Sequence, residues 1–249
     1  MAGVAEMLCD NGAGDLVLQL RQFDDFGFGE YYKCTVLYDD LNRLIETAEF
    51  QEHYYDKIVI HDFHEFKDRF PKDKVILIFH GSKLRAMPDI ELEQVKRYPC
   101  FITSQELFHY LPDAVYLPNP VDLKLFKPEY GKVLENDYFC INRSYQRNFI
   151  EKKTRERYPN IEYYERNAKS IVKYEDMPQF LGQHSNYVDW KFDYSKPEPL
   201  SLHDPSCIGL QALALGCNVY DNNGILLQHN ILAIHDAKQV AKGFMKEIG

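Results

Sequence analysis

The chain has 249 residues, of which 45% are hydrophobic and 27% charged, with 13 glycines and 12 prolines. These are the proportions of an ordinary globular protein, and they exclude disordered, collagen-like and coiled-coil classes. The net charge of −9 argues against a nucleic-acid-binding protein, because such proteins neutralise phosphates with basic side chains.

Hydropathy and cysteine spacing indicate the cellular compartment in which the protein is expected. The longest unbroken apolar run, residues 75–79, is far shorter than the roughly 20 residues of a membrane-spanning helix. Glu6 and Asp10 interrupt the apolar residues that follow Met1, so we expect no signal peptide. Six cysteines occur without C-x-x-C spacing, which is typical of reduced thiols and not of a disulfide framework or a zinc ribbon. We therefore expect a cytoplasmic protein without a transmembrane segment.

Strands and helices are predicted to alternate along the chain. In the first half, short apolar runs predict strands at residues 33–38, 57–61, 74–79, 100–103 and 114–117, and helices at residues 40–49 and 105–110. In the second half, strands are predicted at residues 137–141, 161–164, 186–190 and 217–220, and helices at residues 147–158, 177–183, 206–215 and 235–248. Several strands lack polar alternation, which is typical of a parallel sheet with both faces covered. The pattern predicts α/β units with right-handed crossovers.

A proline-rich connector interrupts this alternation near the middle of the chain. Residues 117–130 (LPNPVDLKLFKPEY) hold three prolines, which fit neither a central strand nor a helix interior. We predict two α/β halves, residues 1–127 and 128–249, with a ligand-binding cleft between them. Residues 1–127 carry 14 basic and 22 acidic side chains, a balance of −8, whereas residues 128–249 carry 15 and 16, a balance of −1.

The first candidate for ligand binding is a glycine-containing turn at residues 10–15 (DNGAGD). Gly12 and Gly14 would let backbone N–H groups approach a ligand closely. The segment matches neither a dinucleotide-binding fingerprint nor a P-loop, because Val17 stands at the third glycine position and no G-K-[ST] follows. It is therefore either a cleft loop or an ordinary tight turn.

Histidines at two predicted strand ends form the next candidates. His61 and His64 stand three residues apart at the end of strand 57–61, and nothing nearby completes a metal-ligand set, so we expect a cleft-lining loop and no metal. His80 directly follows strand 74–79, and Gly81 permits a sharp turn there. His80 is then either a hydrogen-bonding or acid/base group in the cleft or a loop histidine bonded to the backbone.

The second half offers basic residues and a helix start for an anionic ligand. Arg143 follows strand 137–141, where its planar guanidinium suits a diphosphate, and Arg147 would open the next helix. Asp204 and Ser206 are helix-start residues, and the free amides at that helix end favour phosphate. Gln211 is either a surface residue of this helix or a ligand contact.

Three segments together resemble the retaining nucleotide-sugar glycosyltransferases of GT-B fold. Residues 117–128 (LPNPVDLKLFKP) resemble the family's I-P-N-G/P-V-D-x-x-x-F-x-P segment, and residues 206–216 (SCIGLQALALG) resemble its donor-site helix, S-x-x-G-L-E-A-L-A-x-G. Residues 79–82 (FHGS) are similar to its F-H-x-S loop. The resemblance covers most of residues 75–216 and implies two Rossmann-like domains facing each other across a cleft. The domain of residues 1–127 would bind the acceptor and that of residues 128–249 the donor, with helix 235–248 packing back on the first.

The resemblance also implies roles for the basic residues. His80 would contact the transferred sugar, and Arg143 would meet the donor diphosphate, with Arg147 beside it. The sequence contains no D-x-D triplet, the motif with which transferases of the other main fold hold a divalent ion. A GT-B enzyme uses basic side chains and helix amides instead, so we expect neither a metal nor another cofactor.

Residues around the donor-site helix are carried over in the same way. Ser206 and Gly209 would place helix amides near the phosphates, and Gln211 stands where the family has a ribose-binding glutamate. The family's E-x7-E pattern is absent, because His203 stands at the position of the first glutamate and an acid occurs only at Asp204. We include Asp204 among the donor-binding residues. A glutamine still accepts a hydrogen bond from a ribose hydroxyl, but without charge.

The resemblance implies a metal-independent glycosyltransferase that moves a sugar, of hexosyl type, from a nucleotide-sugar to a hydroxyl acceptor with retention of configuration. The acceptor is expected against Gly12, Gly14, His61, His64 and Ser82. One alternative is a catalytically weak or inactive nucleotide- or sugar-binding module of the same fold, which the missing glutamate pair favours. Another is a sugar-nucleotide enzyme such as an epimerase.

Overall fold

A computed structural model of the chain describes residues 57–62, 64–128, 138–143, 155–166, 172, 174–189, 192–193, 200–201, 204–221 and 223–248. The predicted elements at residues 33–38 and 40–49, and the candidate residues Gly12, Gly14 and Arg147, lie outside the described residues. The chain divides into two compact units. The first unit consists of the chain up to Pro118 together with the chain from Val240 onward. The second unit spans Asn119–Gln239. The domain limit after residue 127 stays a prediction.

The first unit contains a parallel sheet with the strand order β1-β2-β3-β4. Its strands are β1 (Ile58–His61), β2 (Val75–Phe79), β3 (Cys100–Ile102) and β4 (Val115–Tyr116). All five side chains of β2 are buried, as expected for a central strand that is apolar on both faces. On one face, Leu77 and Phe79 join a core cluster that also contains Leu84, Ile102 and Leu107.

Short helices connect these strands. Helix α1 (Ser82–Arg85) follows β2 directly, and helix α2 (Asp89–Val95) leads toward β3. Two 3-10 helices, His64–Arg69 and Gln105–His109, follow β1 and β3. The helix predicted at residues 105–110 is thus a 3-10 helix, and α2 was not predicted.

The second unit contains a further parallel sheet with the order β10-β7-β5-β6. These strands are β5 (Tyr138–Arg143), β6 (Glu162–Arg166), β7 (Asn186–Val188) and β10 (Asn218–Tyr220). Helices α3 (Met177–Leu181) and α4 (Cys207–Ala214) contribute Leu181, Leu210 and Leu213 to a core with Phe139 and Val219. A short antiparallel pair, β8 (Phe192–Asp193) with β9 (Leu200–Ser201), was not predicted.

The segment that follows β10 ends in two helices, α5 (Leu232–His235) and α6 (Ala237–Ile248). Helix α6 begins in the second unit, and from Val240 onward it belongs to the first. Its buried residues Val240, Ala241 and Phe244 recur at helical spacing, and the Phe244 ring packs edge-on against Phe101 at a centroid distance of 5.0 Å.

The described residues therefore form a mixed α/β structure with two parallel sheets, as the strand–helix alternation predicts. Within the described residues, no helix combines the length and the apolar composition that crossing a membrane requires.

Candidate functional site

Polar residues follow three neighbouring strands at the carboxyl edge of the first sheet. Asp62 follows β1, His80 follows β2 and Thr103 follows β3. Because these strands are parallel neighbours, their ends meet at one edge, where α/β proteins bind ligands. The His80 backbone N–H donates to Asp62 Oδ1 at 2.9 Å, and His80 Nδ1 lies 3.4 Å from Thr103 Oγ1. His80, predicted from the sequence, thus lies among side chains that the sequence did not single out.

Asp62 connects β1 to the end of β2 through two hydrogen bonds. Its backbone N–H donates to Ile78 O at 2.9 Å, and its carboxylate accepts from the backbone of His80. Asp62 is buried and has a φ of +56°, a left-handed conformation that aspartate and asparagine tolerate better than most residues. The position where the chain leaves β2 is therefore fixed by the neighbouring strand.

Gly81 allows an arginine to approach the loop that carries His80. Its φ is +121°, and a Cβ at this position would lie 2.7 Å from a guanidinium nitrogen of Arg85. A side chain here would be strained by the backbone, and the guanidinium of Arg85 would have to move away. Arg85 ends α1, whose first residue is Ser82. Ser82, which was predicted to lie in a cleft loop, is therefore the first residue of a helix and stands two positions after His80.

The other two candidate histidines, His61 and His64, belong to different elements of the fold. His61 is the last residue of β1. His64 begins a 3-10 helix, and its Nε2 lies 2.9 Å from Glu91 Oε2 of α2, which ties these two elements together. The Nδ1 atom of His64 lies 3.7 Å from a Glu65 carboxylate oxygen. Across the part of the chain that the structure describes, no group of three or more His, Cys, Asp or Glu side chains is arranged to hold a metal ion.

The carboxyl edge of the second sheet carries Arg143 and two aspartates. Arg143 ends β5 and pairs in register with Arg166 at the end of β6, so the backbone places both arginines at this edge. Asp189 follows β7, and Asp221 follows β10. The edge therefore combines basic and acidic residues, in agreement with the near-neutral charge of the second half.

A buried aspartate occupies the beginning of helix α4. Asp189, which is 5% exposed, accepts a hydrogen bond from the Ser206 backbone N–H at 2.7 Å and another from the Ser206 hydroxyl. Ser206 is the N-cap and accepts from the Gly209 N–H at 2.9 Å. A Cβ at Gly209 would lie 2.5 Å from Asp189 Oδ2, so only glycine leaves room for this carboxylate. Two backbone donors of the predicted phosphate seat are thus bound inside the protein.

Gln211 belongs to α4, and its side chain is buried in the protein and not exposed on the surface. It is 3% exposed, although its neighbours on the helix are apolar. Helical side chains lean toward the N-terminus of their helix, so this amide extends toward the first turn of α4. A ligand hydroxyl could form a hydrogen bond with this amide.

The connector is bonded to the elements around α4. Asn119 Nδ2 donates a hydrogen bond to Pro205 O at 3.4 Å. Pro205 directly follows Asp204, which is predicted to bind the nucleotide-sugar donor. His235 donates from Nδ1 to Asn119 O at 2.7 Å and is 2% exposed. Burial lowers the pKa of His235 below its ordinary 6.5, although the Asn119 carbonyl and the charge of Asp204 act in the opposite direction.

His235 is expected to make the second unit sensitive to mild acid. Its pKa is lower in the folded chain than in the unfolded chain, so the unfolded chain takes up a proton first as the pH falls through about 6.5. Stability is then fully present at neutral pH and decreases below that value until the folded state also binds the proton. Urea unfolding at several pH values should show this decrease, and His235→Asn, which retains an N–H donor but does not titrate, should reduce it. His229→Asn, at an exposed position, should leave it unchanged, and an equal effect of both variants would contradict the assignment.

The residues that escaped the sequence analysis include Asp62, Arg85, Thr103, Asp189 and Asp221. Asp62 and Asp221 directly follow predicted strands, so the rule that selected His80 would have found them had it been applied to every polar residue. Thr103 and Asp189 were placed inside the predicted strands 100–103 and 186–190, which the structure ends at Ile102 and Val188. Arg85 gives no such signal, because its position depends on the conformation of Gly81.

No protein-family model matches the chain, and no curated protein is significantly similar to it in sequence. A function therefore has to be derived from the two sheet edges and from the sequence motifs.

Proposed function

We propose that the chain is a metal-independent glycosyltransferase with two facing Rossmann-like domains of GT-B type. It would move a sugar from a nucleotide-sugar donor to a hydroxyl acceptor and retain the anomeric configuration. The motif resemblance suggests this class, and the two parallel sheets are compatible with it.

The observation that carries the proposal is the position of Gln211, a polar residue that is 3% exposed within the apolar helix α4. A polar side chain in this environment needs a partner, and a ribose hydroxyl both donates and accepts hydrogen bonds. Gln211 stands where the resemblance puts the residue that binds the ribose. The first sheet adds His80 at its carboxyl edge, held by Asp62 from the neighbouring strand.

In the proposed reaction the bond between the anomeric carbon and the donor diphosphate breaks, and a bond from that carbon to the acceptor oxygen forms. The acceptor hydroxyl loses its proton, and the nucleoside diphosphate leaves. Arg143, assisted by Arg147, would stabilise the negative charge that develops on the diphosphate. His80 would orient the sugar by hydrogen bonding.

A second candidate function is a nucleotide- or sugar-binding module with weak or no catalysis. Asp189 favours it, because its carboxylate already accepts from Ser206 at the beginning of α4 and would repel a phosphate there. The neutral Gln211 in place of a glutamate points in the same direction.

Turnover of a panel of nucleotide-sugars distinguishes the two functions. We expect the wild type to release nucleoside diphosphate with at least one donor, and His80→Ala and Arg143→Ala each to reduce the rate at least tenfold. Lys242→Ala, which changes an exposed side chain of α6, serves as the matched control and should keep full activity. Unchanged rates in both test variants would contradict the glycosyltransferase. Calorimetric binding of a nucleotide without turnover on any donor would establish the second function instead.

A further inference from the structure

The chain that follows strand β10 extends the second sheet by a short antiparallel segment. Among the described strands, β10 lies at one end of that sheet, with β7 on its other side. After a tight turn the chain runs back along β10, and Leu226 forms an antiparallel bridge with Tyr220. The Leu227 N–H donates to Val219 O at 2.8 Å. Residues 225–227, which we call the edge segment, are therefore the outermost part of the described sheet on this side.

The backbone of the edge segment is bonded to β10 on one side and directed outward on the other. Ile225 O accepts from the Asp221 N–H at 3.0 Å, and Leu227 bonds the same strand two residues later. Because successive residues of a strand direct their backbone groups to opposite sides, the N–H and C=O of Leu226 point away from β10. Gln228 Nε2 approaches Leu226 O at 3.4 Å, a long contact that a further strand can replace.

The side chains of the edge segment are apolar and exposed. Ile225 is 60% exposed and Leu226 is 41% exposed, and residues 222–235 contain no Asp, Glu, Lys or Arg. Natural proteins usually protect an exposed strand edge with charged side chains, because an unprotected edge pairs with other chains. The edge segment lacks this protection, which indicates a surface that another polypeptide covers.

The distribution of charge favours a second copy of this chain as that polypeptide. Two copies with a net charge of −9 repel each other, but least through their second halves, where the balance is −1 compared with −8 in the first. A basic partner would be attracted to the acidic first half instead. Ile90 of α2 shows the contrast, since it is 72% exposed but stands between Asp89 and Glu91. An uncharged apolar strand in the near-neutral half is complementary to itself.

We propose that two copies of the chain form a dimer in which their edge segments pair as antiparallel strands across a two-fold axis. An axis at Leu226 places this residue opposite its own copy, where the two exchange N–H···O=C bonds at a Cα separation of about 5.5 Å. Ile225 of each copy then lies opposite Leu227 of the other, and Leu227 packs against the core of the second unit. The inference goes beyond the proposed function and does not depend on it.

Sedimentation equilibrium of the full chain tests the dimer without any substrate. We expect a mass that increases from 29.3 kDa toward twice that value between about 1 and 100 μM protein. Leu226→Lys and Ile225→Lys bring like charges together near the axis and remove apolar contact, so each should weaken the dimer about tenfold. Ile90→Lys changes the net charge equally at an exposed isoleucine of the first half, and it should leave the dimer unchanged.

Two outcomes of this measurement would overturn the proposal. A monomer at every concentration would leave the edge segment to a different protein. Equal weakening by all three lysine variants would show that net charge, and not the edge segment, controls the association.

The dependence on salt distinguishes this apolar interface from one held by ion pairs. Salt at about 0.5 M screens the repulsion between two negatively charged copies more strongly than salt at about 0.05 M. The dimer should therefore be at least as tight at the higher concentration. Dissociation on addition of salt would mean that a different, charged surface holds the copies together, and it would contradict the edge pairing.

Disulfide trapping locates the interface even where a lysine variant folds poorly. In Leu226→Cys the two new thiols lie opposite each other, at a Cα separation within the range of about 4.4–6.8 Å that a disulfide spans. With oxidised glutathione we expect a covalent dimer from Leu226→Cys, above the background that the native cysteines give in the wild type. Ile90→Cys should stay at that background. A dimer in solution that Leu226→Cys does not trap would have its interface elsewhere, and the proposal would be wrong.

Discussion

Replacing Asp189 with alanine is expected to lower the free energy of unfolding of the second unit by roughly 3 kcal/mol. The change removes two hydrogen bonds that a buried carboxylate accepts from Ser206, and bonds to charged groups contribute about 1.5–3 kcal/mol each. The Ser206 N–H loses its acceptor, and the N-cap that bonds Gly209 loses the support that orients it. Native-state hydrogen exchange of peptides from residues 204–221 would measure the loss in this unit directly.

Two variants make this expectation specific. Asp189→Asn retains one acceptor oxygen and should cost about half as much. Asp176→Ala changes an exposed aspartate at the start of α3 that makes no side-chain cap bond, and it should stay within about 0.5 kcal/mol of the wild type. A loss below 1 kcal/mol for Asp189→Ala would mean that the carboxylate does not hold the beginning of α4.

The second large effect is expected at Phe126, the phenylalanine of the connector. Its side chain is 1% exposed and lies in the core cluster that contains Leu181, Tyr187 and Leu213. Truncation of a buried phenylalanine leaves a cavity, so Phe126→Ala should cost about 3–5 kcal/mol. Urea unfolding together with hydrogen exchange in the second unit gives the measurement.

Neighbouring connector positions supply the controls. Phe126→Leu retains most of the volume and should cost less than about 1.5 kcal/mol. Lys124→Ala alters an exposed side chain while leaving the Lys124 backbone N–H bonded to Asp122 at 2.8 Å, and should be close to neutral. If Phe126→Ala were as mild as Lys124→Ala, the connector would not be anchored through this ring.

Strands whose side chains are buried on both faces were predicted well from the sequence. The run at residues 74–79 became Val75–Phe79, since a continuous apolar segment has few alternatives to a central strand. Helix α2 was missed because only Val95 among its residues is buried, so it shows no apolar stripe. The single helix predicted at residues 235–248 is divided at Asp236, which forms a bridge with Val121 that no local pattern reveals.

The candidate site was predictable to the extent that strand ends are. His80 follows β2 and Arg143 ends β5, and both positions could be derived from the runs of apolar residues. The partners of these residues depend on strand order: Asp62 and Thr103 meet His80 only because β1 and β3 flank β2. The burial of Gln211 likewise depends on how α4 packs, and a single polar residue in an apolar helix does not reveal it.

Helix α6 affects the order in which this protein can be completed during synthesis. Domains generally fold as units, with the N-terminal one first as the chain leaves the ribosome. Here the first unit draws Val240, Ala241 and Phe244 from a helix that is translated after the whole of the second unit. Phe101 therefore cannot pack against Phe244 until more than a hundred intervening residues have been synthesised. The second unit, which is continuous in sequence, is the one that can mature first, and truncation before residue 240 would leave the first unit without part of its core.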